Sequence, residues 1–319
     1  VLFRRLISLL VLVTLMIGFP VAVFAEERLV AVILTGDFER YRAAHKAFIE
    51  HFDSLPSLPD VKIYIQTPNP DPISLANSIR KAVGIGSELI ICYGSQAAFA
   101  AKKEARGIPV LFADVYDPVS LGLVLCLDDV ACGISGISGS TPIHTLLKAL
   151  TKILSVNALG ILYSSSDPGS EQQFRILDQV APGFGMTVLA EDVTGKDQLL
   201  KAMQRLADRT DVLFISDSSL IQKNLSEVMA SAVAKGTLLI SQIPGLAEKG
   251  ALMTLEPAPA EQGERLADYA HIVLSGTKVE TLPIETPHKV DLVINLKTAR
   301  THNLKIPFEL LTMTTRVIK

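Results

Sequence analysis

One pattern limits the fold more than any other: short apolar runs alternate with amphipathic stretches, the alternation stops at residues 108–119, and it then starts again. Before the break, apolar runs at 29–34, 61–66, 89–93 and 110–113 have strand length, and the segments between them carry helical spacing. In the first of these helices Tyr41, Ala44, Phe48 and Phe52 share one face. After the break the same scheme gives helices over 141–154, 170–180, 198–208 and 220–235, with strands at 159–163, 186–190, 212–215 and 238–240. Strands separated by helices imply parallel sheets with right-handed crossovers. The expectation is two doubly wound α/β lobes. The break itself, Ile-Pro-Val-Leu-Phe-Ala-Asp-Val-Tyr-Asp-Pro-Val, gathers Asp114, Tyr116 and Asp117 and stops regular structure at Pro118, so it reads as a crossing between lobes.

The tail is too short for a third domain, so its elements return to the lobes already begun. These are a strand at 251–254, a helix at 260–274, a strand at 290–294, a helix at 296–302 and a closing helix after Pro307. That requires three crossings, near Asp117, Gln242 and Pro287. Lobe 1 then comprises residues 26–118 and 243–286, and lobe 2 comprises 119–242 and 287–319.

Residues 1–25 differ in kind. Arg4 and Arg5 precede an apolar run that ends in Pro20 and Val23-Phe24-Ala25, the pattern of a secretory signal peptide cleaved after Ala25. A retained membrane anchor is the alternative reading. This leader carries two of the 30 basic residues and no acid, which leaves the remainder at a net charge of −5. Such a chain lacks the clustered Lys and Arg that nucleic acid demands. Of its three cysteines, Cys92 lies in an apolar strand, while Cys126 and Cys132 flank a short polar segment. An exported chain can join that pair, a small loop worth about 2.4 kcal/mol on chain entropy; three inert thiols are the alternative.

The loops expected at the strand ends share one composition: Thr35-Gly36-Asp37, Tyr93-Gly94-Ser95-Gln96, Tyr163-Ser164-Ser165-Ser166-Asp167 and Ser216-Asp217-Ser218-Ser219. In open parallel sheets ligands bind beyond the carboxyl ends of the strands. Helix N-termini there attract a carboxylate, and Asp37, Asp117 or Asp217 can receive an ammonium group. Such a cleft suits a zwitterion, with Phe38, Tyr93, Tyr116 and Tyr163 as candidate apolar walls. Plain helix capping is the better account of any single loop; four such loops in two matched halves bring the ligand cleft level with it. No Gly-x-Ser-x-Gly elbow, phosphate loop or metal-ligand spacing of His is present. Gly84-Ile85-Gly86 precedes a strand and lacks the third glycine of a dinucleotide fingerprint. No catalytic residue, metal or cofactor is expected.

Several segments, in order, resemble a known family: residues 107–119, Gly133-Ile-Ser-Gly136, the loop 164–170, Ser216-Asp217-Ser218, Leu292-Val-Ile-Asn-Leu-Lys-Thr-Ala299 and Ile306-Pro307. The chain resembles the periplasmic substrate-binding proteins of ABC transporters, in the family that includes tryptophan- and tyrosine-type binding proteins. The resemblance implies a type I periplasmic binding fold, whose lobes close on a small solute by hinge motion, and an ABC permease as membrane partner. It places Ser95, Gln96 and Asp117 against the ligand from the first lobe and the crossing. Ser166 and Ser170 meet its carboxylate, and Asp217, followed by Ser218, takes its amino group. The family usually has Asn where Ser218 stands. A monomeric, periplasmic solute-binding protein is the resulting expectation. The alternatives are a module feeding a membrane sensor and a small-metabolite enzyme of doubly wound fold.

Overall fold

The structure is a computed structural model that describes residues 28–56, 58, 61–124 and 133–319. The expected signal peptide and the Cys126–Cys132 pair lie outside the described residues.

Two sheets form two lobes. Lobe 1 holds a five-stranded sheet of order β2-β1-β3-β4-β5, built from β1 (Arg28–Leu34), β2 (Val61–Gln66), β3 (Leu89–Tyr93), β4 (Val110–Val115) and β5 (Ile134–Ser138). Every pairing in it is parallel. The continuous apolar runs follow from burial on both faces. In β1, Val30, Val32 and Leu34 pack on one side with Tyr41, Phe48 and Leu266, while Ala31 and Ile33 pack on the other with Leu75 and Ile79. Lobe 2 repeats this logic in a seven-stranded sheet. At Val212–Ile215, Val212 and Phe214 join one core, and Leu213 and Ile215 the opposite one.

The crossings differ from the sequence expectation at two places. Ile134–Ser138 pairs with Val110–Val115, so the chain stays in lobe 1 past Asp117 and crosses only after Ser138. The break at Pro118 is a turn within the lobe, closed by Leu121 N–H on Asp117 O and Leu123 N–H on Pro118 O. Likewise Met253–Pro257 pairs with Leu238–Ser241 in lobe 2, so the second crossing falls at Ala258 instead of Gln242. Both misplaced segments are five-residue strands of mixed composition, Ile-Ser-Gly-Ile-Ser and Met-Thr-Leu-Glu-Pro; the first carries too few apolar residues to read as a strand, and the second has no mark of which sheet will accept it. The third crossing falls between Glu285, bridged to Ile137, and Val290.

After Ala258 the helix Pro259–Leu274 packs on the first helix of lobe 1, α1 (Glu39–Ser54), in direct backbone contact. A Cβ on Gly263 would lie 1.9 Å from the Ala44 carbonyl oxygen, so the glycine is what permits this approach. The excursion also explains the one antiparallel pairing in lobe 2. The strand Val290–Asn295 re-enters from the other lobe and runs against Met253–Pro257. Two smaller differences concern helices. The stretch 220–235 is broken at Asn224 into Ser219–Lys223 and Leu225–Lys235, and the chain ends on a strand, Arg316–Ile318, after the short helix Phe308–Met313.

Candidate functional site

The carboxyl ends of both sheets face one another, and the polar cleft between them is walled by both lobes. Its centre is Arg40, in the first turn of α1, where a basic residue opposes the helix dipole and needs a local reason. The reason is two carboxylates. Arg40 Nη1 pairs with Asp217 of lobe 2, and Nε lies 3.0 Å from Asp114 Oδ2 of lobe 1. That second contact is an ion pair without hydrogen-bond alignment. Nη2 donates to the Tyr41 hydroxyl at 2.6 Å, and the guanidinium carbon stands 4.5 Å from the Tyr41 ring centre. Only 9% of Arg40 is exposed.

The backbone is shaped to make this possible. Asp114 sits at a register shift between Ala113 and Val115 and adopts φ +57, a left-handed conformation that turns its carboxylate into the cleft. Gly94, with φ +93, lies against Tyr41, whose hydroxyl would be 2.3 Å from a Cβ there. From lobe 2, Asp167 caps the helix Pro168–Val180 through Gly169 N–H (3.2 Å) and accepts from the lobe 1 Gln96 Nε2 at 3.1 Å. Asp217 N–H donates to Gln173 Oε1 (2.6 Å), Gln173 Nε2 to Gln242 Oε1 (3.0 Å), and Gln242 Nε2 to Thr141 O (2.6 Å).

Charge is concentrated here. Burial alone disfavours the Arg40 cation, but Asp114 and Asp217 outweigh it and hold its pKa well above the ordinary value. Burial pushes Asp114 up to about 6 despite Arg40, with Asp217 adding to the rise. Asp167 also rises to about 6, first by burial and then through Asp217. The Tyr41 and Tyr116 hydroxyls are raised by burial as well, so both remain neutral donors. With Arg40 in place the cleft retains about 20 Å³ of free volume, room for about one water.

Of the residues singled out from sequence, Ser95, Gln96 and Asp217 line this cleft, as does Tyr116. Others, Phe38, Tyr93 and Tyr163 among them, stand elsewhere. Asp117 accepts from Ser120 N–H (3.2 Å) and from the lobe 2 Gln172 Nε2 (2.9 Å), on a different face of the interlobe seam. Ser166 bonds Ser164 (2.8 Å) and faces an apolar recess with Ile73 and Phe99. Ser170 is fully buried, its Oγ accepting from Ser164 N–H (2.9 Å) and pairing with Ser216 Oγ (2.6 Å). Ser218 is buried at the start of a short helix with its hydroxyl unpartnered. Asp37 is an exposed surface acid paired with Arg42. The sequence reading passed over Arg40, Asp167, Gln173 and Gln242 as cleft residues. For Arg40 a signal existed: a cation in an N-terminal helix turn, beside Tyr41 on the apolar face.

Among the described residues no group of three or more His, Cys, Asp or Glu is placed to hold a metal ion, and no helix is long and apolar enough to cross a membrane.

A cleft between two α/β lobes, joined by three crossings and walled by strand ends from both, defines a solute-binding protein of the type I periplasmic class. Residues 57–318 match the family described as ABC transporter substrate binding protein, and the chain belongs to that family. It is 26% identical over 243 residues to a tyrosine-binding protein of Clostridioides difficile (strain R20291), covering 76% of this chain and 70% of that protein. Among solved structures it superposes on an ABC domain in complex with L-Trp from Streptococcus pneumonia with a TM-score of 0.87 at 20% identity, over 92% of this chain and 100% of that one. A ligand-free, open substrate binding protein with adhesive properties from Clostridium difficile gives 0.70 at 21% identity, over 92% and 99%. These likenesses are of fold.

Proposed function

We propose that this chain binds an amino acid, or a closely related zwitterion, in the interlobe cleft and presents it to an ABC permease on the outer face of the membrane. The observation that carries the reading is the cleft's charge: one buried guanidinium and carboxylates from both lobes converge where the two sheets meet. A zwitterion offers the matching pair of opposite charges, and helix N-termini at Ser95 and Pro168 add donors for a carboxylate. The related tyrosine-binding protein and the L-Trp complex point to the same solute class.

On this reading Ser95, Gln96 and Asp217 contact the solute together with Arg40, Asp114 and Tyr116. Asp117, Ser166, Ser170 and Ser218 shape the loops around it. The lobes open and close about the crossings at 139–142, 258 and 286–289, a hinge-type transition. Binding without turnover, in a monomer exported to the periplasm, completes the proposal. The test is a thermal-shift screen of residues 26–319, stripped of co-purified solute, against amino acids, sugars, nucleobases and small carboxylates. A ligand at 100 times its dissociation constant adds about 2.7 kcal/mol of stability. A response confined to amino acids is expected; a response confined to sugars or nucleobases overturns the zwitterion assignment.

A further inference from the structure

The cleft poses a problem of space. With Arg40 in place its free volume of about 20 Å³ holds about one water, too little for an amino acid with a side chain. The Arg40 side chain and its two carboxylates meet across the cleft that a solute would enter. The partners also divide unequally between the lobes. Arg40, Asp114 and Tyr41 belong to lobe 1, and Asp217 belongs to lobe 2. Another ion pair, Glu39–Lys249, also joins the two lobes, but it is solvent-exposed, whereas Arg40–Asp217 is largely buried.

We propose that Arg40 is the built-in counter-ion of the cleft and the residue that reads ligand charge. Without solute its guanidinium bridges Asp114 and Asp217 across the closed lobes. A zwitterion binds by entering that ion pair, with its carboxylate on Arg40 and its ammonium on Asp217. The inference rests on the zwitterion reading above and adds a required displacement to it.

The geometry makes the exchange feasible. When lobe 2 swings away, Asp217 leaves with it and keeps the Gln222 amide as a donor. Arg40 keeps Asp114, the Tyr41 hydroxyl and the Tyr41 ring, so it remains charged and held while Nη1 is freed. The open walls then present a cation on one side and an anion on the other, in the arrangement an amino acid can bridge. Closure on the solute restores opposite-charge contacts to both groups. An amine without a carboxylate cannot do this. It would take Asp217 and leave part of the guanidinium buried without a partner, a costly state. Arg40 therefore selects against simple amines, and its removal should invert the selection. Asp114 and Asp217 would then face the solute with no internal cation, and a ligand carboxylate would meet Asp114 in place of a guanidinium.

The test compares amino acids with their decarboxylated partners, L-tyrosine with tyramine and L-tryptophan with tryptamine, by isothermal titration of the stripped chain. The wild-type chain is expected to prefer the amino acid by at least about 100-fold, because the amine leaves a buried donor unpaired. Arg40→Met is expected to lose that preference and favour the amine. Asp217→Asn, which keeps the cation, is expected to weaken amino acid and amine alike. Small-angle scattering of the ligand-free chain gives a second readout: both variants should populate a more open, larger form than wild type, with helix content by circular dichroism unchanged. If wild type binds the amino acid and Arg40→Met keeps the same preference, Arg40 does not read the carboxylate; this inference then falls and the zwitterion reading stands. If wild type binds no amino acid, the zwitterion reading falls and takes the displacement with it. Equal ligand-free compactness in wild type, Arg40→Met and Asp217→Asn overturns the counter-ion role whatever the solute.

Discussion

The two walls of the cleft are made of the same kind of strand-end loop, yet they satisfy their polar groups differently. In lobe 2, Ser164, Ser166, Ser170 and Ser216 hydrogen-bond one another, and Ser165 bonds Asp192. A short hydroxyl reaches only its neighbours, so a serine-rich loop completes its own network. In lobe 1 the decisive group is a guanidinium on a long stem, which spans from Asp114 in its own lobe to Asp217 in the other. The Ser164, Ser166, Ser170 and Ser216 hydroxyls are thus satisfied within lobe 2, whereas the long charged side chain depends on the opposite wall. Four measurements test this contrast.

The largest effect is expected from Arg40→Met on the ligand-free chain. Removing one partner of a buried ion network leaves uncompensated carboxylates, at a cost of about 3–5 kcal/mol near neutral pH by urea denaturation. A loss below 1 kcal/mol would mean that the cleft tolerates the carboxylates without their cation and would break the contrast.

Second is a pH dependence of the ligand-free chain. Asp114 has its pKa raised by burial from 3.8 to about 6 in the folded chain, so the folded state holds its proton more tightly than the unfolded one. The associated stability is fully present below about pH 4 and is lost as pH rises through about 6, a change on the order of 3 kcal/mol. Asp167 shifts in the same direction and acts over the same window. The melting temperature should therefore rise from pH 7.5 to pH 5.5, and Asp114→Asn should flatten that slope. A slope of the opposite sign, or one untouched by Asp114→Asn, would place the titrating groups elsewhere.

Third, Ser170→Ala in the lobe 2 network should cost about 1–3 kcal/mol, because Ser164 N–H is left buried without its acceptor. Affinity for an identified solute should stay within about threefold, since the hydroxyl faces its own loop. A large loss of affinity with little loss of stability would return Ser170 to the ligand and reverse the lesson drawn from that wall. The smallest effect is expected from Arg80→Ala. Its pair with Glu104 lies on the surface of lobe 1, and the denaturation midpoint should not move measurably. A loss comparable to that of Arg40→Met would remove the distinction between buried and exposed ion pairs on which the comparison depends.

Much of the fold was legible because its signals are local. Continuous apolar runs in β1, β3 and Val212–Ile215 require burial on both faces, and each is followed by a helix. Ser95, Gln96 and Asp217 line the cleft for the same local reason: they follow strand ends, and strand ends meet there. Asp117, Ser166 and Ser170 carry the same signature and stand elsewhere, because a loop's composition does not reveal where its side chains find partners.

The sequence by itself determined the alternation of strands and helices, the two-lobed class and the loops from which a site is drawn. Each of these depends on periodicity and capping within a few residues. Tertiary structure alone decided that Ile134–Ser138 stays in lobe 1, that Met253–Pro257 joins lobe 2, and that Val290–Asn295 runs antiparallel there. It also decided that Arg40 meets Asp217 from 177 residues away. Strand pairing and buried ion pairing are long-range choices, settled by which lobe offers an open sheet edge or an uncompensated charge, and neither is written in the neighbouring residues.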